Sequence, residues 1–115
     1  MESPYLGTIM MWAADYAPRG WAFCYGQVLD ARQHKALFVM LRETFGGDGE
    51  TSFRLPDFVG RTPVGAGLLG SGEEIALGAA SPVLRGGQTP GCGLLRGALA
   101  VNYVICIDGR FPEPA

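Results

Sequence analysis

Cys24, His34 and Asp57 are residue types that, if brought together, could form a nucleophile, a base and an orienting carboxylate. Such a set requires a thiolate in an accessible, electropositive site within hydrogen-bond reach of its base. Cys24 instead lies in an apolar segment, and His34 lies near the start of a predicted helix, between Arg32 and Lys35. This pattern does not fit a nucleophilic site, and we predict that the protein is not an enzyme.

The run Gly-Gly-Asp-Gly at residues 46–49 could serve as a phosphate or calcium loop. A phosphate loop continues into Lys and Ser or Thr at the start of a helix, and a calcium loop spaces several oxygen ligands along the chain. The following Glu50, Thr51 and Ser52 fit neither template. Asp-Gly is typical of tight turns, so we predict a turn here and no cofactor.

The cysteines do not form a recognisable metal motif. Three cysteines and one histidine are too few for a structural zinc site within one chain, which normally uses four such ligands. Cys24 and Cys106 lie in apolar segments and are predicted to be buried thiols. Cys92 lies between two glycines in a predicted loop, where an intersubunit disulfide is an alternative if the compartment is oxidising.

Two groups of side chains are candidates for contact with a partner. Aromatic residues cluster at positions 12–25, where exposed rings could stack on sugars, although large aromatics more commonly form core or subunit contacts. Arg85 and Arg96 lie in a glycine-rich segment that a scaffold could present to a partner, and a solvated role for both stays open. The aromatic cluster consists of Trp12, Tyr16, Trp21 and Tyr25, of which the first two are predicted partner contacts.

The composition limits the class of protein. The chain has 115 residues, of which 48% are hydrophobic and 17% charged, with a net charge of −2. This charge provides no basic stripe for nucleic acid. So much apolar surface in a small chain suggests that part of it contacts another copy or a partner. No apolar run is long enough to span a bilayer, and residues 1–4 lack the pattern of a signal peptide.

Turn residues and apolar residues together predict an α+β fold, with one helix packed on short strands and extensive irregular glycine-rich loops. The helix is predicted over residues 31–42, with Asp30 as its N-cap and Gln33 as the capping-box partner. Leu37, Phe38 and Leu41 would face the core, and glycines at 46–47 would stop the helix.

The predicted strands are short. A closing strand is predicted at 98–108, where both faces are apolar, so that it is central in its sheet or buried at a subunit contact. The other strands are predicted at residues 7–12, 21–24, 51–55 and 61–66, with a short helix or strand around 74–77.

A series of short motifs follows in order along the chain. They are Gly-Thr-Ile at 7–9, Pro-Arg-Gly-Trp at 18–21, Cys24 with Gly26-Gln27, Phe-Gly-Gly-Asp-Gly at 45–49, Leu-Pro-Asp at 55–57 and Gly-Arg at 60–61. Together they resemble the phage tail collar domain family, which includes proteins of the microcystin-dependent type. The resemblance covers residues 5–66 and, through the closing strand, 98–112.

This resemblance implies one tail-collar-like domain over residues 1–115, with a core motif region at 5–66, a glycine-rich variable segment at 67–97 and a closing strand at 98–112. It implies a non-enzymatic structural protein of a phage tail, a tail-derived particle or an extracellular filament, found in the virion or outside the cell. Self-assembly into a trimer or filament is expected, with other tail proteins or a cell-surface glycan as further partners. The alternative is a receptor- or carbohydrate-binding adhesion module.

The residues that carry over are implied to act as scaffold. They are Pro18, Arg19, Gly20, Trp21, Cys24, Gly26, Gly46, Gly47, Asp48, Gly49, Leu55, Pro56, Asp57, Gly60 and Arg61. We predict that the charges of Arg19, Asp57 and Arg61 are buried and paired, since a buried charge needs a partner.

The chain also departs from the family pattern. Tyr25 stands where an aspartate is usual, and the middle segment is short. The His-x-His element that binds metal in some family members is absent, because His34 is the one histidine of the chain. The metal site of those members therefore does not carry over.

Overall fold

The computed structural model describes residues 4–81 and 98–113. Within them the elements are β1 (Ile9–Trp12), β2 (Trp21–Phe23), β3 (Val28–Asp30), α1 (Lys35–Leu41), β4 (Ser52–Arg54), β5 (Gly67–Leu68), β6 (Glu74–Ile75) and β7 (Asn102–Cys106). One helix with short antiparallel strands confirms the predicted α+β class. The chain divides into two compact units, Met1–Val59 with Val101–Ala115, and Gly60–Ala100. That the whole chain is a single domain stays a prediction.

A three-stranded antiparallel sheet forms the centre of the first unit. Its order is β1-β7-β2, with Met10 opposite Val104 and Ala22 opposite Ile105. Val104, Ile105 and Cys106 are all buried, so both faces of β7 are covered. The predicted central position of the closing strand is therefore confirmed, although the strand starts only at Asn102.

The core lies between one face of this sheet, the helix and the β3–β4 hairpin. Its buried members are Leu6, Cys24, Ala31, Leu37, Phe53, Leu55 and Ile105. The helix contributes Leu37, with Phe38 and Leu41 packed beside it, as predicted. The ring centroids of Phe38 and Phe53 lie 5.5 Å apart. Full burial of one such side chain contributes about 1.5–3 kcal/mol.

The predicted start of the helix is wrong. Asp30 is the last residue of β3, opposite Ser52, and the Ala31 N–H still bonds the Thr51 carbonyl at 2.9 Å. The backbone is therefore held by the hairpin where the first helical turn was expected. The Asp30 carboxylate accepts the Arg32 N–H at 2.7 Å and so closes a separate turn. The helix begins after His34, which has no side-chain capping bond.

The helix also ends before the glycines that were expected to stop it. Leu41 is its last residue, and the backbone leaves the helical conformation at Arg42, which has a positive φ of 46°. The Arg42 N–H bonds the Phe38 carbonyl at 2.8 Å, which satisfies one carbonyl of the last turn.

The β3–β4 hairpin was predicted only in part. β4 lies within the predicted strand at residues 51–55, with Phe53 opposite Leu29. β3 was missed, because its three residues merge in sequence with the approach to the helix. Its pairing with β4 supplies the hydrogen bonds that a three-residue strand cannot obtain locally.

In the second unit, β5 and β6 form a small antiparallel pair, with Gly67 opposite Ile75. The strand alternative predicted around residues 74–77 is confirmed. The strand predicted at 61–66 is not formed, because this segment, which contains Pro63, has no ladder partner in the described part of the unit. Within the same unit the Arg61 Nε–H donates to the Ser81 carbonyl at 3.2 Å.

The run at residues 46–49 forms a turn, as predicted. The Asp48 carboxylate accepts the backbone N–H groups of Glu50, Thr51 and Ser52 at 2.8–2.9 Å. It also accepts the Thr51 hydroxyl at 2.6 Å. These hydrogen bonds hold the pKa of the Asp48 carboxyl well below its usual range. The bond from the Thr51 hydroxyl has the largest effect, and the backbone bonds add to it.

This turn predicts a pH dependence of stability. Because the folded-state pKa of Asp48 is lowered, its contribution is present at neutral pH and is lost as the pH falls below about 4, where the unfolded chain takes up the proton. Asp48→Asn should therefore destabilise the protein more at pH 7 than at pH 3. Urea unfolding of both proteins at the two pH values measures this difference, with the exposed Asp15→Asn as the control for loss of one surface carboxylate. An equal effect of Asp48→Asn at both pH values would contradict the lowered folded-state pKa of Asp48.

Candidate interaction surface

The three-stranded sheet has a second face, opposite the core, that carries all four residues of the aromatic cluster. Directly opposed residues of antiparallel strands project to the same side, and neighbours along a strand to opposite sides. Ile105 and Ala22 project into the core, so Val104 and Cys106 project away from it. We call the side chains that surround Val104 and Cys106 on this second face the aromatic face. It consists of Trp12, Tyr16, Trp21, Phe23, Tyr25 and Asn102.

One end of the aromatic face is formed by Trp12 and Tyr16. The Trp12 indole N–H donates to the Tyr16 carbonyl at 2.6 Å. The two rings meet edge to face, with centroids 6.2 Å apart. Trp12 is half-buried, whereas Tyr16 is 63% exposed. The indole therefore holds a loop that presents the tyrosine ring to solvent.

The neighbouring part of the face is formed by Phe23 and Tyr25. Their rings stack with centroids 4.9 Å apart and an interplanar angle of 11°. The Tyr25 hydroxyl donates to Oδ1 of Asn102 at 3.2 Å. Tyr25 is 50% exposed, so its ring is ordered by two contacts and still accessible.

Asn102 connects the two ends of the aromatic face. Its Nδ2 donates to the Ala14 carbonyl at 2.9 Å, while its Oδ1 accepts the Tyr25 hydroxyl. Asn102 therefore links the loop after β1 to the end of β2 from the central strand. The sequence pattern missed this role. The available signal was a polar residue in an otherwise apolar run, since such a residue needs hydrogen-bond partners.

Asn102→Ala is expected to lower the free energy of unfolding by about 1–2 kcal/mol, because it removes two side-chain hydrogen bonds from a half-buried position. Chemical denaturation measures the loss. Tyr25→Phe removes only the hydroxyl that bonds Asn102 and should have the smaller effect. A Tyr25→Phe effect as large as that of Asn102→Ala would mean that the bond between Asn102 and Ala14 contributes nothing to stability.

Several of the implied scaffold residues lie at bends. Gly20, Gly26 and Gly60 all adopt positive φ angles, of 85°, 74° and 73°. A Cβ at Gly26 would lie 3.0 Å from Cβ of Asp57, so the turn between Tyr25 and Gln27 packs directly against the Leu-Pro-Asp motif. Leu55 and Pro56 of that motif are buried.

Arg19, Asp57 and Arg61 were predicted to be buried and paired; the predicted burial is wrong, and their pairing stays a prediction. Arg19 and Asp57 are exposed, Arg61 is half-buried, and no polar or charged side chain is buried among residues 4–81 and 98–113. The Asp57 carboxylate accepts the Val59 N–H at 3.1 Å. The Asp57 side chain thus closes a turn at the surface, and an aspartate does not need to be buried to do so.

Cys24 and Cys106 are free, buried thiols, as predicted. Burial raises the pKa of Cys24 to about 12 and raises that of Cys106 as well. A thiol held neutral in this way is a poor nucleophile, so the structure provides no support for a triad built on Cys24. Cys92, Arg85 and Arg96 lie outside the described residues, and their predicted roles stay predictions.

Metal binding and membrane insertion also find no support in the described ranges. Neither 4–81 nor 98–113 contains a group of three His, Cys, Asp or Glu side chains arranged to hold a metal ion. The same ranges contain no helix with the length and apolar character needed to cross a bilayer.

Residues 7–63, about half of the chain, match the model of the Phage Tail Collar Domain family. This stretch of the chain belongs to the phage tail collar domain family. The collar match contains β1 to β4 and α1, while the central strand β7 lies outside it. Trp12, Tyr16, Phe23 and Tyr25 lie within the collar region, and Asn102 does not. No curated protein matches the chain.

Proposed function

We propose that this chain is a non-enzymatic structural protein of a phage tail, a tail-derived particle or an extracellular filament, and that it assembles through its apolar surfaces. Membership of the collar family suggests a structural role in a phage tail. As sites of action we propose the virion or the cell exterior, with further copies of the chain and other tail proteins as partners.

The supporting observation is the amount of apolar surface in the first unit. Large hydrophobic side chains are exposed on β1, on β3, on α1 and near the C-terminus. A monomer of this size rarely exposes so many apolar side chains unless some of them contact another protein. In the first unit, the exposed large hydrophobic side chains that lie on a strand or on the helix are Ile9, Met11, Val28 and Val39.

The experiment is a concentration series of the purified protein by sedimentation velocity, with negative-stain microscopy of the same samples. Defined oligomers or filaments at micromolar concentration are expected. A monomer throughout the series, with no particles or filaments on the grid, would overturn the proposed assembly.

The aromatic face supports a second candidate function, binding of a carbohydrate. Tyr16 and Tyr25 expose their rings while Trp12, Phe23 and Asn102 hold them in place. Pre-ordered aromatic rings with an exposed surface and a nearby amide are suited to stack on a sugar and to bond its hydroxyl groups.

A glycan array probed with the full chain tests this second function. Tyr16→Ala and Tyr25→Ala should each reduce binding to any glycan detected. Tyr5→Ala is the matched control, because Tyr5 is exposed to a similar degree but packs against Arg110, 5.1 Å from its guanidinium carbon. Binding that survives both substitutions, or that Tyr5→Ala removes equally, would exclude the aromatic face as the glycan site.

A further inference from the structure

The two edges of the three-stranded sheet differ in how their backbone groups are satisfied. On the β2 edge, the Trp21 N–H donates to the Pro18 carbonyl at 3.0 Å. The outward carbonyl of Phe23 accepts the side-chain amide of Gln27 at 2.8 Å. Two of the four outward groups of Trp21 and Phe23 are therefore bonded within the protein, which makes this edge less suited to receive another strand.

The pairing of β1 begins with a bulge at Gly7. Gly7 has φ 84°, and its N–H bonds the Cys106 carbonyl at 3.0 Å, while the Cys106 N–H bonds the Thr8 carbonyl at 2.9 Å. This is the arrangement of a bulge with glycine in the left-handed conformation. From that point the ladder alternates, so Met10 bonds to β7 and Ile9 and Met11 direct their N–H and C=O groups away from it.

Beyond the bulge at Gly7, the described residues place no protecting feature on the outward edge of β1. In the part of the chain that the structure describes, no turn or side chain bonds the outward groups of Ile9 and Met11. Residues 7–14 contain neither a charged residue nor a proline. Charges, prolines and covering loops are the usual means by which proteins block an edge strand.

The side chains of β1 add to this open edge. Ile9 is 38% exposed and Met11 is 67% exposed, although both project to the side of the sheet that carries the core. They lie at the margin of the core, where a further strand would cover them. Both side chains are uncharged and apolar, so a strand of the same composition would complement them without an unpaired charge.

We propose that β1 pairs antiparallel with β1 of a second copy of the chain, about a two-fold axis at Met10. Ile9 of each copy would then face Met11 of the other, and their outward N–H and C=O groups would exchange hydrogen bonds in both directions. The two sheets would join into one sheet of six strands, with the apolar side chains of Ile9 and Met11 covering each other. This contact rests on the proposed self-assembly and identifies the surface that performs it.

The first test places a charge on the edge. Met11→Lys leaves the inward ladder bonds intact but would place an ammonium group against Ile9 of the second copy. The expected result is at least a tenfold weaker self-association by sedimentation velocity, with unchanged circular dichroism. Val28→Lys is the matched control, because Val28 is an exposed apolar residue on a different strand, and it should leave association unchanged.

The second test determines which residues of the two β1 strands face each other. With the axis at Met10, the two Met10 residues form a directly opposed pair, in which Cα atoms lie about 4.5 Å apart, within the range of a disulfide. In a Cys92→Ser background, Met10→Cys should form a disulfide-linked dimer under mild oxidation. Met11→Cys should not, because its neighbour across the axis is Ile9.

The outcomes separate this contact from the broader proposal. An assembly that Met11→Lys weakens no more than Val28→Lys, or that cross-links at position 11 and not at position 10, overturns the edge contact while self-assembly stands. A wild-type chain that stays monomeric at all concentrations overturns both. Loss of association with Met11→Lys alone, together with cross-linking through position 10, supports both.

Discussion

Gly47→Ala is expected to lower the free energy of unfolding by about 3 kcal/mol, through backbone strain and overpacking together. Gly47 has φ 97°, a conformation that side chains other than glycine rarely adopt. A Cβ at this position would lie 2.5 Å from Cα of Phe53 and 2.8 Å from the Ser52 carbonyl oxygen. Both obstructing atoms belong to the backbone of β4, so no side-chain rotation can relieve the contact.

The matched control for this substitution is Gly65→Ala. Gly65 has no atom within 4 Å of a Cβ added to it, and its φ is not in the left-handed region. Chemical denaturation followed by tryptophan fluorescence compares the two variants with the wild type. A loss of less than about 1 kcal/mol for Gly47→Ala, which a compatible position would show, would mean that the turn at 46–49 does not constrain β4.

Phe53→Ala is expected to cost about 3–5 kcal/mol, the range for truncation of a large buried aromatic side chain. Phe53 has no exposed surface and is the largest fully buried side chain among residues 4–81 and 98–113. It links the β3–β4 hairpin to the helix through its contact with Phe38. Its loss would leave a cavity between the elements that the collar region contributes to the core.

Phe111→Ala is the control with the same chemical change, because Phe111 is 49% exposed. Its effect should stay below about 1 kcal/mol, as is usual for surface positions. Thermal and urea unfolding of the two variants measure the difference. Equal losses for Phe53→Ala and Phe111→Ala would contradict the position of the core between hairpin and helix.

The parts of the fold that were predicted correctly depend on local backbone chemistry or on an apolar pattern along one segment. The turn at residues 46–49 follows from glycine and aspartate alone, and both supply its φ angles and hydrogen bonds locally. The central place of β7 follows from a segment whose two faces are both apolar. The collar motifs, which combine such local signals in order, led to the family that the comparison confirmed for residues 7–63.

The errors arose where a distant segment decided the local structure. Asp30 was predicted to cap the helix, but pairing with Ser52 holds it in β3. Asp57 was predicted to be a buried charge, but it closes a turn at the surface. The strand at 61–66 was predicted from composition, but a strand also requires a partner, and in the described part of its unit it has none.

The order of bends, the apolar helix face, the core strands other than β3 and the collar family were readable from the residues alone, because each depends on neighbours within a few positions. Four aromatic residues of the aromatic face were identified from the sequence, but their arrangement around Asn102 and the open edge of β1 were not readable. Asn102 meets Tyr25 and Ala14 across most of the chain length. The difference between the β1 and β2 edges appears only when both strands are placed beside β7. Contacts between residues far apart in the chain depend on the whole packing, and no local pattern encodes them.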